Sequence, residues 1–174
     1  MPNRILVSPM CQYSAADNGQ VNAWHHMHIL NLAVSGAGMF CIEATAVEPE
    51  GRITPGCLGL WDDATEAALA TLLTAVRTYS KTPIIIQLAH AGRKGSSHVP
   101  WEGGQLIPPA QGGWVPPAPS AIPQKQGEAP PAALNRAGMD AIRTKFVESN
   151  WIRPTTLQRQ HGQVVEDIQL VGRG

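Results

Sequence analysis

Three isoleucines in a row, Ile84-Ile85-Ile86, constrain this 174-residue chain more than any other feature. Successive side chains of a strand point to opposite faces, so three β-branched residues need apolar cover on both sides. Strands of that kind belong to parallel sheets buried between layers. Pro83 opens the run at a position where its missing N–H is not needed. Two shorter apolar runs precede it. Arg4-Ile5-Leu6-Val7 ends at Ser8-Pro9, and Met39-Phe40-Cys41-Ile42 continues into Glu43 through Val47; each reads as a buried strand. Between them, residues 22–34 carry Ile29, Leu30, Ala33 and Val34 at helical spacing, stopped by Gly36-Ala37-Gly38. Asp63 and Glu66 have capping-box spacing ahead of Leu69, Leu72, Leu73 and Val76, which predicts a second helix. From Gly92 to about Pro131 the composition turns to Gly, Pro, Ser and Gln, a structureless length that signals a functional loop or lid. Met139, Ile142 and Phe146 mark a third helix after Asn135. The order β-α-β-α-β-loop-α predicts a parallel sheet with right-handed crossovers.

Composition narrows the class. Hydrophobic residues make up 43% and charged residues 15%, enough for a packed core. Thirteen basic residues balance thirteen acidic ones without a basic stripe, which argues against nucleic acid as a partner. No apolar run reaches the ~18 residues of a membrane span, and the first residues lack a secretion signal. Cys11, Cys41 and Cys57 form no C-x-x-C pair, which argues against a disulfide scaffold or zinc site and predicts a cytoplasmic protein. His25 and His28 share a helix face with no third ligand spaced to join them, so they read as helix surface.

Two architectures fit the element order, an open doubly wound sheet and a closed β/α barrel. A dinucleotide-binding sheet needs G-x-G-x-x-G directly after a strand. Here Gly36-Ala37-Gly38 precedes a strand and Cys41 occupies the third glycine's place, which rules that reading out. In a barrel the carboxyl ends of all strands open on one face, where active sites are built. The three runs end in Ser8-Pro9-Met10-Cys11, in Glu43-Ala44 and in Gln87-Leu88-Ala89-His90. Either these groups share one site, or the strands simply turn polar as they reach water.

The particular residues favour a shared site. Ser8 to Tyr13, Ile42 to Val47, Gly51-Arg52-Ile53-Thr54 and Ile86 to Lys94 resemble motifs of the Old Yellow Enzyme family, in its bacterial subgroup with a cysteine beside the flavin. Trp101-Glu102-Gly103-Gly104 and Ala118 to Ile122 are similar to that subgroup's long third loop. The likeness runs in order from about residue 3 to 147. It implies a (β/α)8 barrel, of which this chain would supply the first three β/α units, with FMN at the carboxyl face. NADPH or NADH would donate hydride, and the substrate would be a small molecule with an activated alkene.

The same resemblance distributes roles. Ser8, Pro9, Met10 and Cys11 would lie along the flavin, the Cys11 thiol tuning its potential. The Gln87 amide offers the donor–acceptor pair that complements the flavin's pyrimidine ring. Ala44 would let the ring approach, and Tyr13 would donate its phenolic hydrogen to a substrate carbonyl. His90 and Arg93 read as loop anchors. Trp101 and Trp114 either line a substrate pocket or pin the loop.

The likeness lapses near Glu148, which divides the chain into a barrel-like part, 1–147, and an atypical tail, 148–174, frameshifted or irregular. His161-Gly162-Gln163-Val164 offers one histidine where the family has a His-x-x-His pair on a fourth strand, and no role is carried over to it. The expectation is the amino-terminal half of an ene-reductase-like NAD(P)H oxidoreductase, with weak flavin binding and little turnover. Its unpaired strand edges invite pairing with a second copy. The rival expectations are another FMN barrel with iron–sulfur cysteines in its second half, and a non-catalytic remnant that serves as a partner surface.

Overall fold

A computed structural model describes residues 1–150 together with a strand at 168–170; the His161 segment lies outside the described residues. In chain order the elements are β1 (Leu6–Val7), α1 (Ala23–Ala33), β2 (Met39–Ala46), α2 (Asp63–Tyr79), β3 (Ile84–Ala89), β4 (Pro117–Ala118), β5 (Ala132–Ala133), α3 (Arg136–Asn150) and β6 (Ile168–Leu170). The main sheet runs β1-β2-β3-β6 and every pairing is parallel. It is open, with no barrel closure among the described residues.

The isoleucine run behaves as its chemistry requires. Ile84, Ile85 and Ile86 are all buried. Ile84 and Ile86 join Phe40 and Ile42 of β2 in a core completed by Ile29 and Ala33 of α1 and by Leu69, Leu72, Leu73 and Val76 of α2. The carbonyl of Ala33, at the end of α1, accepts from Ser80 Oγ (2.6 Å) and Thr82 Oγ1 (3.0 Å). The residues leading into β3 thus satisfy a helix terminus that would otherwise lie unpaired under α2.

Several expectations need correction. The first strand is two residues long rather than four, and it is not buried: Ile5 is 62% and Leu6 52% exposed. β1 is the outer strand of the sheet, with nothing described beyond it to cover its other edge. The α2 cap sits one residue earlier than the spacing implied. Asp62 Oδ1 accepts the Thr65 N–H at 2.8 Å and the Thr65 hydroxyl reaches back to the Asp62 backbone. Asp63 and Glu66 instead occupy the first turn, where their charge meets the positive end of the helix dipole. His25 is not on the helix surface but fully buried. The 92–131 stretch is not structureless either. It carries three short 3-10 turns, and its strand β4 pairs with β5 just beyond its end.

α3 continues past residue 147. Ser149 is buried there and donates to the Leu60 carbonyl at 2.6 Å, tying the helix end to the start of α2. In the tail, β6 pairs with β3 in the register Ile84↔Ile168 to Ile86↔Leu170, a fourth parallel strand that the sequence patterning did not reveal.

Candidate functional site

The site begins with a register shift. Ile42 pairs with Ile86 and Ala44 with Gln87, so Glu43 is an extra residue in β2, a β-bulge. One inserted residue reverses the face that every later side chain occupies. Before the bulge, Phe40 and Ile42 point with Ile84 and Ile86 into the core. After it, Ala44 and Ala46 stand with Gln87 and Ala89 on a cavity at the carboxyl ends of the strands. The cavity holds about 470 Å³, within the range of small-molecule sites. Gly51, Arg52, Ile53 and Cys57 close it from the β2–α2 connection, and His90, Ala91 and Lys94 from the segment after β3.

Its walls are held by bonds formed far apart in sequence. The Arg52 guanidinium lies between the rings of Trp61 (5.5 Å) and Trp114 (5.2 Å) and donates to the carbonyls of Asp17 (2.8 Å), Pro55 (2.9 Å) and Pro49 (3.0 Å). Trp114 Nε1 donates to the Glu50 carbonyl at 3.0 Å. His90 Nε2 lies 2.9 Å from Glu48 Oε1, and its Nδ1 accepts the Gly92 N–H. Arg93 reaches Ser120 Oγ at 3.4 Å. His90, Arg93 and Trp114 therefore tie down loops.

The turn after β1 brings Cys11 and Tyr13 to this end of the sheet. The Cys11 thiol sits beside the Ala44 N–H and near Cys57 and Glu43. Burial first, then Cys57 and Glu43, push its pKa up to about 11 against the opposing pull of the Ala44 N–H and Tyr13, so it stays protonated at neutral pH. Burial, then the Cys11 and Cys57 thiols, also raise the Tyr13 phenol. Tyr13 has a left-handed backbone, φ 51°, and its ring packs edge-on against Trp101 at 5.7 Å. Trp101 thus belongs to the roof over Tyr13.

Of the residues singled out from sequence, Ala44 and Gln87 line the cavity; Cys11 and Tyr13 do not, though the Cys11 thiol lies beside the Ala44 N–H and near Cys57, and Tyr13 next to Cys11. Ser8 and Met10 do not line it. They border a separate crevice of about 10 Å³ with His28, Ile29 and Leu32 of α1. Pro9 is half-buried between them. Sequence reasoning gave no role to Glu43, Arg52, Cys57 or Lys94. Glu43, Arg52 and Lys94 stood within the matched motifs, but a bulge leaves no mark in the pattern until the register is known.

Four parallel strands, helices packed on one face and a polar cavity at the strand carboxyl ends define a portion of a β/α barrel. Residues 1–129 match the NADH:flavin oxidoreductase / NADH oxidase family, and the chain belongs to it. An NADH:flavin oxidoreductase of Gibberella zeae is 39% identical over 150 residues, 84% of this chain and 36% of that protein. A Bacillus licheniformis NADPH dehydrogenase is 46% identical over 110 residues, 62% of this chain and 32% of the relative. The chain thus spans about a third of these curated relatives. Morphinone reductase in complex with tetrahydroNAD shares the fold with a TM-score of 0.70 at 23% identity, covering 87% of this chain and 42% of its own. An Old Yellow Enzyme homologue from Zymomonas mobilis gives 0.67 at 22% identity over 97% and 44%. Among the described residues, no helix is long and apolar enough to cross a membrane.

Proposed function

We propose that the cavity takes the isoalloxazine ring of FMN and that the chain contributes the ring-side half of an NAD(P)H-dependent ene-reductase site. One observation carries this reading: the bulge at Glu43 sets Ala44 directly opposite Gln87, on one cavity, with the Cys11 thiol beside them. The residues fit a flat, hydrogen-bonding ring. The walls are small, built from Ala44, Ala46, Gly51, Ala89 and Ala91. At Gly51 even an added Cβ would come within 3.0 Å of the His90 ring. No group among the described residues bonds to the Gln87 amide, leaving its donor and acceptor for a ligand.

Bound there, FMN supplies hydride transfer from a nicotinamide to an activated alkene. The chain's own residues do the rest. Gln87 orients the ring by paired hydrogen bonds, and Ala44 leaves room for it. Cys11, a neutral thiol at working pH, acts as a weak donor rather than a second negative charge. Tyr13 keeps its phenolic proton and can donate it to a substrate carbonyl. Groups that would anchor the flavin phosphate come in this fold from the loops after the last strands. Taken alone, the 174 residues therefore bind FMN weakly and turn over little.

Titration with FMN followed by flavin fluorescence tests this. The chain should quench the flavin with weak, saturable binding, and Ala44→Leu, which fills the cavity, should abolish it. No quenching at any concentration, or undiminished quenching by Ala44→Leu, refutes the assignment.

A further inference from the structure

Glu43 does something that neither the bulge nor the cavity explains. Its carboxylate is 3% exposed, and one oxygen, Oε2, accepts the backbone N–H of Gln12 at 2.8 Å. That N–H belongs to the peptide linking Cys11 to Gln12, so the bond sets the plane of the chain between the thiol and the phenol. The other oxygen, Oε1, faces His25 Nε2 at 3.6 Å. His25 is itself fully buried, and Nε2, in ion-pair range of the carboxylate but beyond hydrogen-bond distance, has no hydrogen-bond partner among the described residues. Its Nδ1 lies 3.2 Å from the Asn22 N–H and 3.0 Å from Asn22 Oδ1, so the helix cap and the Glu43 carboxylate hold the ring from opposite sides. Asn22 in turn donates from its side chain to the Ser14 carbonyl. The Cys11–Ser14 turn is thus gripped at both ends by the start of α1 and the bulge of β2.

A buried carboxylate is costly unless its oxygens are paired, and an apolar residue would satisfy packing alone more easily. What the charge adds is direction. Tyr13 sits at φ 51°, a conformation that non-glycine residues avoid and that surrounding contacts must enforce.

We infer that Glu43, braced by His25, is the positioning residue of this site, holding the Cys11–Gln12 peptide so that the thiol and the Tyr13 phenol present to the cavity. That these groups serve a flavin rests on the reading above; the holding itself does not.

The test uses the full chain and two variants, Glu43→Leu and Glu43→Gln. The Gln side chain keeps a carbonyl acceptor for the Gln12 N–H; Leu has none. Two readouts report on the turn without FMN: hydrogen exchange at the Gln12 amide, and the alkylation rate of Cys11 resolved by peptide mass spectrometry. In Glu43→Leu both should rise at least tenfold while circular dichroism stays unchanged. In Glu43→Gln both should remain within about threefold of the parent. A folded Glu43→Leu with parental exchange and alkylation overturns the inference. Should that variant not fold, the parent decides: a Gln12 amide exchanging at the rate of an unprotected peptide overturns it, and a protected amide that Glu43→Gln also retains supports it. Failure of the parent to bind FMN would refute the functional reading and leave these two measurements to judge Glu43.

Discussion

At the scale of single residues, the site depends on groups kept neutral or unpaired. Cys11 faces Cys57, Glu43 and Tyr13, and burial among them holds the thiol up at about 11 against an ordinary value of 9.0. The folded chain therefore binds this proton more tightly than the unfolded chain. The stability linked to it is complete below about 9 and is lost as pH rises from there through about 11. Alkylation of Cys11 by iodoacetamide should accordingly stay slow at pH 9 and reach half its maximal rate near 11; a midpoint near 9 contradicts the burial argument. Gln87 is a different case, because its amide has no partner to lose among the described residues. Gln87→Leu should leave thermal stability unchanged and weaken FMN binding roughly two- to tenfold for each hydrogen bond lost, the net worth of a neutral hydrogen bond at ~0.5–1.5 kcal/mol. A calorimetric scan beside a flavin titration separates the two effects.

At the scale of elements, α2 shows how much a terminus can carry. Asp62 lies at its start with its carboxylate on the Thr65 N–H, and that bond holds the carboxyl below its usual value. The cap is therefore in place above the unfolded value of 3.8 and fades as pH falls through the lower folded one. Asp62→Ala should cost ~1 kcal/mol in urea unfolding at pH 7, and progressively less as pH falls below 3.8 and through the lower folded-state value. The connection that follows β2 is held differently. Arg52 stacks between Trp61 and Trp114 while its N–H groups occupy three carbonyls, an arrangement that needs a planar fork. Arg52→Lys keeps the charge but cannot fill those contacts, so limited proteolysis should cut within residues 49–57 faster than in the parent.

At the scale of the whole molecule, the sheet is well covered on its helix side and bare at one edge. Leu72 is fully buried at the centre of the core, and Leu72→Ala should cost ~2–5 kcal/mol by chemical denaturation, a large share of the ~5–15 kcal/mol that holds an ordinary domain together. The exposed Leu6 on β1 and Ile5 just before it present apolar side chains beside strand groups that no described residue pairs. Leu6→Lys should reduce self-association in sedimentation velocity while leaving the helical signal intact.

Much of this was legible in the residues. The isoleucine run, the spacing of Leu69, Leu72, Leu73 and Val76, and the polar endings of three apolar runs specify a parallel α/β sheet with chemistry at one end, because period and branching act locally. The matched motifs carried the family, and Ala44 and Gln87 were candidate site residues before their pairing was known. What pattern could not supply was anything set by register or by partners distant in sequence. The Glu43 bulge exists only relative to β3, and it alone puts Ala44 opposite Gln87 instead of in the core. His25 reads as helix surface until β2 brings a carboxylate beneath it. Ser8 and Met10 belong with Cys11 in sequence, yet they lie past the end of β1, and the fold places them beside α1. Local chemistry decided which elements form and where their polar ends lie; long-range pairing decided which of those ends face one another.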